Sequence, residues 1–402
     1  MEDSLEFISS LKTQIDNFLE EHPEPTPDPD PVPEPPVIGR MVATSISDLL
    51  DKIKALPSGD ATIGMANGNY GSLTLSNINI GGELNIVSEN RRAANFEKIV
   101  IDKNSKDIRL TSMGVCPVGE FTSTIGLNNK FYGVTSDGTT SMIDIEDFYL
   151  QGHEDSANHL SWSLQDWRNR GLGAVFLQGA NSSIRNCFAQ GVRFGFNLIG
   201  ANSLCENNFV DGASGDGFRA SQDFITFMKN VAKNLVYMKD GNHPDGFQAF
   251  GKVVAGKATL LSGLSISGLA LIEWEGNNPS SLHWNDNLNK WGIMQGVGLH
   301  ATAFKDLILN DIFVVTAVSN GIHIGGCQNL TGSNWEVRSP LYGTPDFDTR
   351  FPKINVNAGG SVSVDNISAE AFAGNLVASN KTSPDYSKPA PSWIDDVIAS
   401  VK

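Results

Sequence analysis

Basic residues are scarce. The 402-residue chain carries 29 Lys and Arg against 45 Asp and Glu, a net charge of −16. Phosphate-binding nucleic-acid surfaces need a basic footprint, and an anionic membrane repels a chain of this sign. Charged residues of all kinds are 18% of the chain, below the ~25% of ordinary domains. Cysteine is also rare. The four (Cys116, Cys187, Cys205, Cys327) lack CxxC or zinc spacing and read as free, buried thiols. No apolar run reaches the ~18 residues of a membrane span. The opening MEDSLEF has neither the basic nor the apolar region of a secretory signal, so none is expected. No DxDxDG loop occurs, and neither a metal nor a cofactor is expected.

What is present points to a long, turn-rich, folded body. Hydrophobic residues at 40% supply a core, and 40 glycines imply many tight turns. The acid is concentrated at the start, where residues 1–36 hold ten acids and one Lys. Residues 1–22 read as a helical anchor, because Ile8, Leu11, Ile15 and Phe18 keep the spacing of a short coiled-coil seam. Residues 23–40 read as a spacer. The run HPEPTPDPDPVPEPPV holds 8 of the 18 prolines and favours extended polyproline II, spanning roughly 45 Å at ~3.1 Å per residue. The body is expected over 41–382. It opens with a helix capped by Ser45 or Ser47, whose Leu49, Leu50, Ile53 and Leu56 share one face. A C-terminal segment, 383–402, is expected to close it with a helix capped by Ser392.

A repeat runs through the body. Gly starts a similar pentapeptide at Gly173, Gly195, Gly217, Gly246, Gly268, Gly292 and Gly321, at intervals of 22, 22, 29, 22, 24 and 29 residues. A period near 22 with loop insertions is a coil period of a β-solenoid. Strand alternation sends positions one and three after Gly inward (Phe196, Phe218 and Phe247; Leu198, Ala220 and Ala249). Position two then faces out as a strip: Val175, Asn197, Arg219, Gln248, Ala270, Met294, His323.

Capping helix, 22-residue coils and Gly/Asn turns together resemble the right-handed parallel β-helix of the pectate-lyase superfold, an all-β fold. With the anchor and spacer, the chain resembles phage tailspikes and other virion spikes. That resemblance implies a homotrimer on the virion surface that binds, and by hydrolysis or β-elimination cleaves, a bacterial surface polysaccharide, with residues 1–22 held by another virion protein. Leu177, Ile199, Phe250 and Ile272, read as an exposed apolar stripe, agree with a trimer. A receptor-binding or structural spike without enzymatic activity is the alternative, and a free polysaccharide lyase is a third reading.

The candidate chemistry lies on two adjacent coils, GDGFRA and HPDGFQ. Stacked in register, Asp216 and Asp245 would lie about 5–6 Å apart, a separation that suits glycoside hydrolysis. Asp before Gly also serves as a turn residue, so both roles stay open. His243 joins them as a catalytic neighbour, and Asn197, Arg219 and Gln248 are expected to bind substrate. Trp274, Trp284, Trp291 and Glu273, in LIEWEGNNPSSLHWNDNLNKW, are expected to stack on and hydrogen-bond sugars. The segment 151–170, with Trp162 and Trp167, is expected to wall the same groove. HPDGF is loosely similar to the NTD tripeptide of polygalacturonases, but the DD, GHG and RIK elements are missing, so no catalytic role is carried over. Asn207, Asn230 and Asn310 are expected to be turn or ladder residues.

Overall fold

The computed structural model describes residues 41–119, 132–238, 244–254, 257–274, 284–285, 290–291, 295–299, 304–343 and 352–402. The chain divides at Arg40 and Met41 into two units. The anchor (1–22) and spacer (23–40) lie outside the described residues, and the second unit carries everything below.

That unit is a right-handed parallel β-helix, the hand that parallel crossovers take. Each coil contributes strands to three faces. The first face stacks Gly173–Leu177, Phe196–Leu198, Phe218–Ala220, Asp245–Ala249 and Gln295–Leu299, then 322–324 and 354–356. The second includes Ser141–Glu146, Ser183–Arg185 and Leu204–Glu206. The third includes Tyr149–Gln151, Phe188–Val192 and Phe209–Ala213. Two antiparallel strand pairs depart from this pattern, Lys252–Val254 with Lys257–Thr259 and Trp284–Asn285 with Lys290–Trp291.

Two physical requirements explain the Gly and Asn content. Along the first face, Gly195, Gly217, Gly246 and Gly296 lie so close to the next coil that a Cβ would come within 2.1, 2.7, 2.8 and 2.4 Å of the following glycine's carbonyl oxygen. Between the second and third faces the backbone turns through the left-handed region at Asp147, Asn186, Asn207, Lys229, Gly268, Asp311, Asn334 and Asn366. Asn and Asp tolerate that conformation and bond along the column. Asn207 Nδ2 donates to Asn186 Oδ1 at 2.8 Å, and Asn334 Nδ2 to Asp311 Oδ1 at 2.8 Å. Asn230 forms an internal ladder, accepting from Asn208 Nδ2 at 3.0 Å and donating to the Cys205 carbonyl at 2.8 Å. Asn310 Oδ1 accepts from Ser333 Oγ at 3.0 Å. All three asparagines are ladder or turn residues, as expected.

These requirements correct the repeat at three places. Gly268 is a turn residue with φ of +76°, and its strand pairs with 230–233 on the third face, away from the strip. The coil assigned to Gly292 begins instead at Gly296, because Asp245 pairs with Gln295 and Phe247 with Val297. In the coil of Gly173 the register is one residue later. Val175 pairs with Phe196 and Phe176 with Asn197, so Leu177 is core and no part of an exposed stripe. The true outward strip reads Phe176, Asn197, Arg219, Gln248, Gly298, His323 and Asn355. The core inside it stacks Phe196 on Phe218 at 6.0 Å and sets Phe247 edge-on to Phe227 at 4.9 Å.

Helix α1 (Ile46–Lys54) covers the first coil. Ser45 accepts the Asp48 amide at 3.0 Å, and Leu49 and Ile53 are buried in the main core. Helix α2 (Leu164–Arg170) lies in the 151–170 insertion, with Ser163 and Asp166 forming a reciprocal cap. Helix α3 (Trp393–Val401) lies along the outside of the third face. Ile394, Val397 and Val401 cover Phe188, Phe209, Val231, Ala270 and Phe313 there. Ser392 does not cap α3 with its side chain, because it is itself helical (φ −60°, ψ −31°). The four cysteines are free, three of them buried, and burial pushes the Cys327 thiol up to about 11.

Candidate functional site

The corner joining the third face to the first gathers the long insertions. The third-face strands ending at Gln151, Leu235 and Ile272 are followed on the first face only at Gly173, Asp245 and Gln295, so the longest gaps between consecutive faces fall at this corner. Asp216 and Asp245 stand at this corner, each just before the glycine that enters the first face.

Consecutive coils place the two carboxylates together. The Asp245 amide donates to Asp216 Oδ1 at 3.0 Å, so the second aspartate is fixed by the first. Each is then met by the side chain three residues on. The Arg219 guanidinium pairs with Asp216 Oδ2, and Gln248 Nε2 donates to Asp245 Oδ2 at 3.1 Å. The intervening Gly and Phe turn inward, which lets the flanking polar side chains approach each other outside the core. Arg219 itself is held between the rings of Phe194 (5.2 Å) and Phe250 (5.6 Å). Beneath it, Asn197 Nδ2 donates to Tyr132 Oη at 2.6 Å, and Arg193 donates to the Ser214 carbonyl at 3.0 Å.

The expected open strip is corrected on one point. Asp216 and Asp245 are fully buried, and Arg219 and Gln248 are only 7% and 8% exposed. The cause is the fold-back of Arg219 and Gln248 over the acids, with Phe194 and Phe250 packed around the guanidinium. Burial pushes the Asp216 carboxyl up to about 6; Arg219 opposes this and the neighbouring Asp245 adds to it. Burial also pushes the Tyr132 phenol well above its ordinary value. Asp216 therefore keeps its proton to a higher pH than an ordinary carboxylic acid.

The second expected cluster is dispersed. Trp274 is buried against Ala317 and Leu341 and offers no exposed ring. Glu273 is buried too, accepting from Thr316 Oγ1 at 2.6 Å and the Ala317 amide at 3.0 Å, which fixes it as a brace between coils. Trp284 and Trp291 are backbone register partners in a short antiparallel pair. His243 lies outside the described residues. In the 151–170 insertion Trp162 and Trp167 are buried on each other and against Val236 and Met238. His159 enters the notch left by Gly191 and Gly212 and pairs with Asp211 at 3.4 Å. The insertion is therefore docked at the corner by its aromatic residues, which are spent on packing and present no sugar platform.

Sequence reasoning missed Tyr132, Arg193 and Phe194. Tyr132 fits because Gly173 of the next coil has no side chain; a Cβ there would lie 2.4 Å from the ring. That relation joins residues 41 apart on different coils and leaves no local signal. Among the described residues, no three His, Cys, Asp or Glu side chains converge as a metal-sized group.

No family model matches the chain. No curated protein matches it in sequence. Solved structures of similar fold include the A-module of the Azotobacter vinelandii mannuronan C-5 epimerase AlgE6, with 11% identity over 86% of this chain and 96% of that one and a TM-score of 0.39. The catalytic unit of a GH87 α-1,3-glucanase from Streptomyces thermodiastaticus strain HF3-3 has 14% identity, 87% and 67% coverage, and a TM-score of 0.46. A mannuronic-acid-specific family 6 polysaccharide lyase from human gut microbiota has 11% identity, 90% and 98% coverage, and a TM-score of 0.38.

Proposed function

We propose that the corner bearing Asp216 and Asp245 binds a polysaccharide and cleaves it by hydrolysis, in a spike carried on a virion surface. The observation that supports cleavage is a fully buried Asp216 whose carboxyl accepts the amide of a second aspartate, Asp245, on the next coil. In this reading Asp216 gives its proton to the glycosidic oxygen as the C–O bond breaks. Asp245 attacks the anomeric carbon as that bond breaks, water then hydrolyses the glycosyl ester with Asp216 taking the water's proton, and Arg219 and Gln248 position the sugar. Hydrolysis is favoured over β-elimination because an eliminating site must neutralise a uronate carboxylate. Arg219 is engaged by Asp216, and Arg193 by the Ser214 carbonyl.

A binding-only spike is the second reading, favoured by the complete burial of both acids. Cleavage requires substrate to reach these buried acids. Reducing-end release and absorbance at 235 nm, followed on a panel of bacterial surface polysaccharides, separate the cases. Reducing ends alone mean hydrolysis, both signals mean elimination, and neither leaves binding. Hydrolysis led by Asp216 should lose rate as pH rises through about 6, when the acid gives up its proton.

The acidic, proline-rich spacer and the Ile8–Phe18 seam support the virion assignment and a homotrimer anchored through residues 1–22. A chain beginning at Met41 should keep glycan activity and fail to enter particles. Incorporation of that shortened chain at the full-length level would refute the anchor.

A further inference from the structure

A second cleft opens at the same corner, nearer α1. Its volume is about 460 Å³, within the ~300–1,000 Å³ range of small-ligand sites. Asn69, Tyr70, Asn95, Glu97, Gln151 and Glu154 line it. Tyr70 is stacked on Phe96 at 5.2 Å, and its hydroxyl is turned away to the Ala66 carbonyl at 2.7 Å. The ring is therefore fixed by packing and by one bond, with no rotational freedom left to lose on binding. Around it stand three carboxamides, which both donate and accept, and two exposed carboxylates, which accept only. No Lys or Arg is in that lining.

This donor and acceptor set fits vicinal hydroxyls. An aromatic wall takes the C–H face of a sugar, and carboxylates and amides take its hydroxyls. The same set repels a uronate, because Glu97 and Glu154 would meet its carboxylate with no cation between them. The position supports a glycan as well. Gln151 lies two coils below the coil of Asp211 and Asp216, and Tyr70 five below it. At ~4.8 Å per coil the cleft lies roughly 10–24 Å along the axis from the acid pair.

We infer that this cleft is a remote subsite for an uncharged or amino-bearing sugar unit of the same polysaccharide. The inference rests on the polysaccharide reading above and narrows it, since a chain bound here carries stretches free of uronic acid. Multivalent engagement of one chain at two positions raises retention without new chemistry at the acids.

The test uses the full-length protein and the Glu97→Lys/Glu154→Lys double variant on an array of bacterial glycans, with reducing-end release by the wild-type protein measured in parallel. The wild-type protein should bind glycans rich in neutral or amino sugars, and the double variant should bind them at least ~10-fold more weakly, as expected for the loss of two acceptors. Asn69→Ala, at the exposed rim, should weaken the same glycans and guards against misfolding of the charge reversal. Wild-type binding confined to uronate-rich glycans, absent binding, or equal binding by all three proteins overturns the subsite. Cleavage with unchanged variant binding removes the subsite and leaves hydrolysis standing. Lost variant binding without wild-type cleavage keeps the subsite and removes hydrolysis.

Discussion

Asp216→Asn should lower turnover on the cleaved glycan by ~10²–10⁴-fold, the range of a positioned general acid. Asn keeps an acceptor for the Asp245 amide but turns its amide nitrogen toward the Arg219 guanidinium, so the bond from the Asp245 amide survives while the ion pair and the transferable proton are both lost. The same substitution should change how stability depends on pH. In the folded protein the Asp216 carboxyl holds its proton up to about 6, against an ordinary 3.8. The folded state then binds more protons than the unfolded one between those values, so wild-type stability falls as pH rises through that window. The difference amounts to about 3 kcal/mol for a shift of this size. Thermal melts at pH 4, 5, 6 and 7 should show this decline for the wild-type protein and a flatter profile for Asp216→Asn. A variant with unchanged turnover and an unchanged melting profile would reduce Asp216 to a turn residue.

Gly195→Ala should be among the most damaging single changes in the body. The new Cβ would lie 2.1 Å from the Gly217 carbonyl oxygen and 2.9 Å from Val210 Cγ2. One obstacle is backbone and the other a fully buried core side chain, so neither can move aside without shifting a coil. Overpacking of a core typically costs ~1–3 kcal/mol, and a backbone clash belongs at or above the upper end. The spacing of Gly217, Gly246 and Gly296 depends on the same contact, so the disturbance propagates along the stack. Gly138→Ala is the control, since nothing lies within 4 Å of its added carbon. Denaturant or thermal unfolding of the two variants side by side gives the comparison, and equal stabilities would refute the account of the glycine column.

The contrast between those glycines also explains how far the sequence could be read. A 22-residue interval is a direct record of coil length, and the Phe196, Phe218 and Phe247 column followed from alternation alone. The adjacency of Asp216 and Asp245 was visible because GDGFRA and HPDGFQ are near copies. Yet one letter serves three purposes. Gly195, Gly217 and Gly246 are needed for close stacking, Gly268 for a positive φ, and Gly173 to admit the Tyr132 ring. The repeat assigned all of them one role, which placed Gly268 on the wrong face and shifted the coil of Gly173. Burial was the other gap. A strip facing away from the core was expected to be wet. Its closure comes from Phe194, Phe250 and Tyr132, which lie on three different coils. No local pattern announces a roof built from such distant parts.

Helix α3 imposes an order on synthesis. Each coil of a solenoid touches only its neighbours, so coils can form as they leave the ribosome, starting from the edge that α1 already covers. Residues 393–401, by contrast, cover rings at Phe188, Phe209 and Phe313, made as many as two hundred positions earlier. That docking carries a long loop-closure cost and comes after every coil is complete. During translation the outer column of Phe188, Phe209, Val231, Ala270 and Phe313 therefore stays uncovered and sticky. A nascent chain stalled before residue 393 would be a client for chaperones, although its coils had already formed.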